Sequence, residues 1–296
     1  MLFRKFFFTG CAVIFFAFPA FSEPLNVTVT IHPVADIVKK IGGDAIEVHT
    51  LLKPGDGPHT FEPAPSDMKA IGRANMIVTV GFGLDMWLEK LLATSRNKGN
   101  VVDLSTIVKN PIDIARDNDG HHHKGHINPH YWLDPIIMKK AVGLIERELL
   151  RLLPEEASKI SKNARAVMGE LDRLDKEIKT LLGTIDHLRP FIAFHNSWSY
   201  FARRYGLKEA GVLETSPGRE PSAKHFRNLL RQIKKSGVKA VLTEPQFSSR
   251  LAKTLAKEAG VAVVTVDPIG GVAGRDGYFE LMRYNAKKFA GAIMGT

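Results

Sequence analysis

Residues 119–135 read DGHHHKGHINPHYWLDP and hold five of the chain's eleven histidines, all within ten positions. Elsewhere three side chains able to bind a metal follow strand-like runs: His59 in KPGDGPHTFEP, His195 directly after PFIAF, and Asp267 directly after VAVVTV. With His130 they make three imidazoles and one carboxylate. That set suits a closed tetrahedral shell around zinc, every group being competent near neutral pH. Taken singly, each has an ordinary explanation: a loop histidine hydrogen-bonds at a surface, and an Asp before Pro268 opens a turn. Spacing alone does not bring the four together.

Within the histidine-rich segment two environments separate. His121, His122, His123 and His126 sit among Asp117, Asn118, Asp119, Gly120, Lys124 and Gly125. That composition buries too little apolar area to fix one conformation and predicts a mobile loop. His130 instead has Asn128, Pro129, Tyr131, Trp132 and Asp134 around it, turn-forming and packing residues that can hold a ligand rigidly.

The elements that must position these groups alternate in type. LNVTVTI, PVADIVKKIGG, AIEVHTLL, PSDMKAIGRA, NMIVTVG and LDMWLEKLLA read as strand and helix in turn, the pattern of βαβ units around a parallel sheet. Between Pro154 and Ile185, apolar residues at Ile160, Ala164, Val167, Leu171, Leu174, Ile178, Leu181 and Ile185 mark one face of a single long helix of about 45 Å. After it the alternation restarts with PFIAF, NSWSYFARRYG, LKEAGVL, AKHFRNLLRQIKKSG, VKAVLTE, SSRLAKTLAKEAG and VAVVTVD. The expected class is α/β: an N-terminal lobe over 23–153 with a His-rich loop at 117–126, a linking helix over 154–187, and a C-terminal lobe over 188–296. In such sheets ligands gather beyond the carboxyl ends of the strands, where all four candidate groups fall.

The first 22 residues stand apart. Arg4 and Lys5 precede an apolar run from Phe6 to Phe21, and Ala20-Phe21-Ser22 offers a cleavage site, so a secretory signal with a mature start near Glu23 is expected. A lipid anchor on Cys11 is not expected, because few apolar residues precede it and Phe8 stands where a lipobox carries Leu. Cleavage after Ser22 leaves no cysteine and hence no disulfide. It also lowers the formal charge from +10 to +8. The Lys and Arg residues read as dispersed among acids on solvated helix faces, and no nucleic-acid partner is expected of an exported chain.

PGDGPHTFEPAPSD, NPHYWLDP, AFHNSWSYFARRYGL, LTEPQFSSR and VDPIGG resemble, in order and spacing, the solute-binding proteins of high-affinity zinc and manganese ABC importers, the cluster called A-I. The resemblance covers nearly the whole chain after the leader. It implies two Rossmann-like lobes joined by one long rigid helix, with the metal in the cleft between them. It also implies a periplasmic monomer that delivers its ion to a membrane permease driven by a cytoplasmic ATPase. The family's ligand positions fall on His59, His130, His195 and Asp267, and a histidine at the third place goes with zinc rather than manganese, in keeping with ligand hardness. Pro58 stands where some zinc-specific relatives have an acid, which points to Asp267 as fourth ligand, with Glu62 or a water as alternatives. The tract of His121, His122, His123 and His126 is shorter than the loop thought to gather extra zinc in such relatives.

The remaining histidines have structural readings: His32 as a support near the cleft, His49 as an exposed strand position, His187 and His225 as helix-end or surface residues. Trp198, Tyr200, Phe201 and Tyr205 recur at helical spacing and predict core packing. Two competing functions are an exported zinc hydrolase with Glu214 or Glu244 as general base, and a surface adhesin. The chain has no HExxH helix, so no enzymatic activity is expected.

Overall fold

In a computed structural model the described residues are 23–94, 100–114, 127–185, 189–215 and 220–295. The leader with Cys11, the histidines of the 121–126 tract and His187 therefore lie outside the described residues. The first half runs β1 (Leu25–Val29), α1 (His32–Gly42), β2 (Ile46–Thr50), α2 (Pro65–Arg73), β3 (Met76–Thr79), α3 (Met86–Thr94), β4 (Asn100–Asp103) and α4 (Pro135–Leu152). After the long α5 (Ala157–Leu182) come β5 (Phe191–Ala193), α6 (Ser199–Tyr205), β6 (Glu209–Val212), α7 (Ala223–Ser236), β7 (Ala240–Thr243), α8 (Arg250–Ala259), β8 (Ala262–Thr265) and α9 (Tyr278–Met294).

The strands form two four-stranded sheets ordered β2-β1-β3-β4 and β6-β5-β7-β8, with every pairing parallel. MIVT in β3 and AVLT in β7 are buried at every position, as strands covered on both faces must be. In each sheet the chain lays its second strand on one side of the first and its third on the other. That reversal opens a crevice at the strands' carboxyl ends, and the site is built there.

α5 reaches both sheets through helices that cover them, α1 on the first and α9 on the second. Ile160, Ala164, Val167, Leu171, Leu174, Ile178 and Leu182 are its buried apolar positions, and they pack against α1 and α4 at one end and α9 at the other. The buried face departs from the expected one at its end: Leu181 is 36% exposed and Leu182 takes its place. A spacing of four after Ile178 keeps the stripe on the packed side as the helix drifts relative to a seven-residue repeat. The helix is also shorter than expected, because Pro154–Glu156 forms a separate 3₁₀ turn; its 26 residues span about 39 Å.

The alternation of segments did not reveal α9, which closes the structure. Its buried residues Phe279, Met282, Ala286, Phe289 and Ile293 join the same apolar cluster as Ile37 of α1, Leu171 of α5 and Leu242 of β7. One continuous core thus runs under both sheets. Tyr278 extends it in polar terms, its N–H donating to Asp36 Oδ2 (2.9 Å) and its hydroxyl to the Trp132 carbonyl (2.7 Å).

Candidate metal centre

His130 is held by the segment that follows it. Tyr131, Trp132 and Leu133 make a buried 3₁₀ turn, and Asp134 then caps α4 by accepting from the N–H groups of Ile136 and Ile137. The Tyr131 hydroxyl donates to the Val80 carbonyl at 2.7 Å and the Trp132 indole to the Pro268 carbonyl at 2.8 Å, so the turn is fastened to both halves of the chain. Asn128 fixes the imidazole: its Oδ1 accepts from the His130 N–H at 2.9 Å and lies 2.8 Å from Nδ1. Its own carbonyl accepts from the Tyr200 hydroxyl at 3.0 Å. A carboxamide oxygen can only accept, so Nδ1 carries the proton and the Nε2 lone pair is free.

His195 follows β5 and opens the 3₁₀ turn Asn196–Trp198. Glu244, at the end of β7, places Oε2 2.9 Å from His195 Nδ1. The angle is poor for a hydrogen bond, but both atoms are buried with no other partner, so each is the other's counterpart. The second oxygen, Oε1, accepts from Ser197 Oγ at 2.9 Å and from the Trp198 indole at 3.0 Å. A carboxylate held in this way turns the imidazole so that Nε2 points into the cleft.

His59 enters from the loop between β2 and α2. Its Nε2 lies 3.2 Å from His130 Nε2, which lies 3.2 Å from His195 Nε2. The ligand atoms of the three lie within 4.8 Å of one another. Two nitrogens bound at about 2.0–2.1 Å to a tetrahedral zinc stand about 3.3 Å apart, so the spacing matches the ion's coordination edge. Burial, reinforced by the neighbouring His195 ring, pushes His59 down from 6.5 to about 3. Burial likewise puts His130 well below 6.5, with His195 and His59 adding to it. Both rings are therefore neutral ligands at neutral pH. The cavity they share with Pro58, Glu244, Gln246, Phe247, Pro268 and Ile269 measures about 10 Å³, enough for one ion or water and too small for an organic substrate.

Three of the four expected groups thus converge, and the fourth does not. Asp267 is buried, but its Oδ1 accepts from the N–H groups of Ile269 and Gly270, each at 3.0 Å, and from Gln246 Nε2 at 3.1 Å, while Oδ2 faces Arg275 Nε at 3.4 Å. It lies outside the group formed by the histidines and in this arrangement caps the turn into Pro268, the ordinary role of an Asp there. Glu62 is exposed and also outside the group. His32 packs its ring beside Gly271, whose φ of +81° a side chain would not adopt, and lies outside the group of three histidines. His49 is exposed, as expected. His225 is 5% exposed, with Nε2 2.8 Å from the Val212 carbonyl; it is a helix-start residue but not a surface one, because β6 covers it.

The orienting groups were the part least visible in the sequence. Trp198 and Tyr200 are fully buried, as core residues should be, but their polar tips also brace Glu244 and Asn128. The signal for Asn128 was its place two residues before His130. Glu244 was legible only as a candidate general base within LTEPQFSSR and not as a partner of His195, and its two engaged oxygens leave it unfit as a free general base.

The fold has counterparts among known proteins. The zinc-binding protein AdcA of Streptococcus pyogenes serotype M3 is 31% identical over 282 residues, covering 88% of this chain and 54% of AdcA. The chain therefore spans about half the length of the AdcA relatives it matches. A crystal structure of ZnuA superposes with a TM-score of 0.81 at 32% identity, covering 91% of this chain and 99% of that one. The structure of FpvC from Pseudomonas aeruginosa in complex with Mn2+ superposes at 0.78 with 29% identity, covering 92% and 99%. The sequence pattern of zinc-uptake complex component A, periplasmic (ZnuA), matches residues 27–292. With two parallel-sheet lobes on one long helix and a match along nearly all of its described length, the chain belongs to the ZnuA family.

Proposed function

We propose that this chain is an extracytoplasmic solute-binding protein that captures Zn2+ in its cleft and hands it to the membrane permease of an ABC importer, whose cytoplasmic ATPase drives uptake. The observation that carries this reading is the pair of 3.2 Å contacts among Nε2 atoms of His59, His130 and His195. Lone pairs converging at that distance repel one another until a cation lies between them. Two of the three rings are set in that orientation by buried partners, which a passing surface contact would not require. The three histidines are the holding set, and all-nitrogen donors favour zinc over the harder Mn2+. Asp267 joins them only by giving up Arg275 and its turn. The histidines at 121, 122, 123 and 126 are auxiliary collectors of the ion, and the first 22 residues are the export signal that takes a monomeric carrier to the periplasm.

Manganese is the second reading, supported by the FpvC neighbour described above. A hydrolase needs an open coordination position, a substrate-sized cavity and a free base. The cavity of about 10 Å³ and the engaged oxygens of Glu244 speak for carriage instead. The test is metal analysis and competition titration of untagged protein. One tightly bound zinc, lost when His59, His130 and His195 are replaced together, is expected; retention of stoichiometric zinc by that triple variant refutes the site, and a preference for manganese changes the cargo.

A further inference from the structure

The formal charge is unevenly divided along the chain. From residue 188 onward there are 18 Lys and Arg against eight Asp and Glu, a surplus equal to the whole net charge of +10. It concentrates further on two helices. α7 has five cations between Lys224 and Lys235 and no acid, and α8 has Arg250, Lys253 and Lys257 beside a single acid, Glu258. At about 100° per residue the five on α7 fall within an arc of about 100° opposite the buried His225, Leu229 and Ile233. α7 and α8 pack together over the apolar cluster of Leu229, Val241 and Leu255, so the eight exposed cations share one flank of the sheet.

This corrects the expectation that basic residues are dispersed among acids. Elsewhere cations rest on carboxylates, Lys139 on Asp172, Arg204 on Asp175 and Arg283 on Glu177, whereas among the described residues none of these eight forms an ion pair. Among the described residues the exposed large apolar ones, Met86, Val101, Leu181 and Met294, all lie on other elements. A specific protein interface is centred on apolar or aromatic anchors, and this flank has none. What it offers is a dense positive field, extending over the length of α7 with little internal compensation. Its counterpart in charge is a continuous layer of anionic headgroups.

We propose that the α7–α8 flank docks the protein electrostatically on anionic phospholipid at the outer face of the cytoplasmic membrane, an inference that rests on the extracytoplasmic reading above. The flank lies beside the sheet and not at the strand ends where the histidines meet, so docking leaves the cleft free. The test is flotation of the zinc-loaded full chain with vesicles of phosphatidylcholine alone or with phosphatidylglycerol added. Three proteins are compared: wild type, a variant combining K224E, R231E, K253E and K257E, and a control combining K69E, R73E, K109E and K162E. Wild type and control should bind anionic but not neutral vesicles, at least about tenfold more weakly in high salt than in low. The flank variant should lose at least about tenfold while keeping its zinc affinity, which separates this outcome from a failure of the carrier reading. Equal loss in the control, equal binding to neutral vesicles, or recruitment only by the importer in neutral nanodiscs overturns the proposal; the last result makes the partner an acidic protein surface.

Discussion

His59 and the pair His130–His195 are the same residue type pointed at the same place, yet the protein treats them differently. His130 and His195 are 1% and 2% exposed, and each has its Nδ1 facing a buried oxygen, Asn128 Oδ1 or Glu244 Oε2. His59 sits on a loop at the more open side, and among the described residues nothing holds its Nδ1. The buried pair spans the cleft, one ring from each half of the chain, and makes a floor whose geometry exists before the ion arrives. His59 is placed only by its loop. In the proposed zinc site the difference implies that affinity is set by the floor and that the loop governs access, because an oriented ligand loses little freedom on binding and an unbraced one loses more.

Replacing a floor ligand should do the most damage. His130→Ala is expected to weaken zinc binding more than about a hundredfold, exceeding the range seen for orienting residues, as read by competition with a chelating dye. If His59→Ala costs as much, the floor-and-loop distinction fails. Glu244→Gln should come next, at about 10- to 100-fold, because it keeps an acceptor for Ser197 and Trp198 but removes the charge facing His195. Asn128→Ala belongs in the same range toward its lower end, with a loss of about 1–3 kcal/mol in metal-free stability from the unpaired His130 N–H.

A smaller effect concerns pH. The folded state keeps His130 unprotonated well below 6.5, whereas the unfolded chain takes up that proton near 6.5. Stability from this residue is therefore present above 6.5 and lost as pH falls, by up to about 2 kcal/mol at pH 5. Glu209, raised to about 7 by burial and by Glu244, and Asp85, raised to about 6 by burial, work in the opposite direction over the same window. The difference between metal-free wild type and His130→Gln isolates the histidine: wild type should lose ground to the variant between pH 7 and 5 in thermal melts, and a constant difference contradicts the buried-neutral assignment. Least should come from Asp267→Asn, below about tenfold in zinc affinity, since its oxygens serve Ile269, Gly270 and Gln246. A larger loss makes Asp267 a ligand after all and sharpens the picture of how the cleft closes.

Much of this could be read without coordinates. Alternating segments gave the two sheets because strands buried on both faces are continuous apolar runs, and the steps of three and four from Ile160 to Ile178 gave the long helix because one stripe had to be covered. Three of the four expected ligands converge because each follows a strand or a rigid turn at a crevice that parallel topology creates. α9 was not legible as a brace, since its apolar positions name no partner.

The sequence by itself determined the fold class and the long helix and supplied His59, His130 and His195 as candidate donors, because backbone periodicity and ligand chemistry are local properties of residue type. Only the tertiary structure decided that Asp267 caps a turn, that Glu244 and Asn128 face the rings, and that the surplus charge forms one flank. Those outcomes depend on which buried atom lies within about 3 Å of which other, and such distances between residues far apart in the chain are fixed only when the core packs.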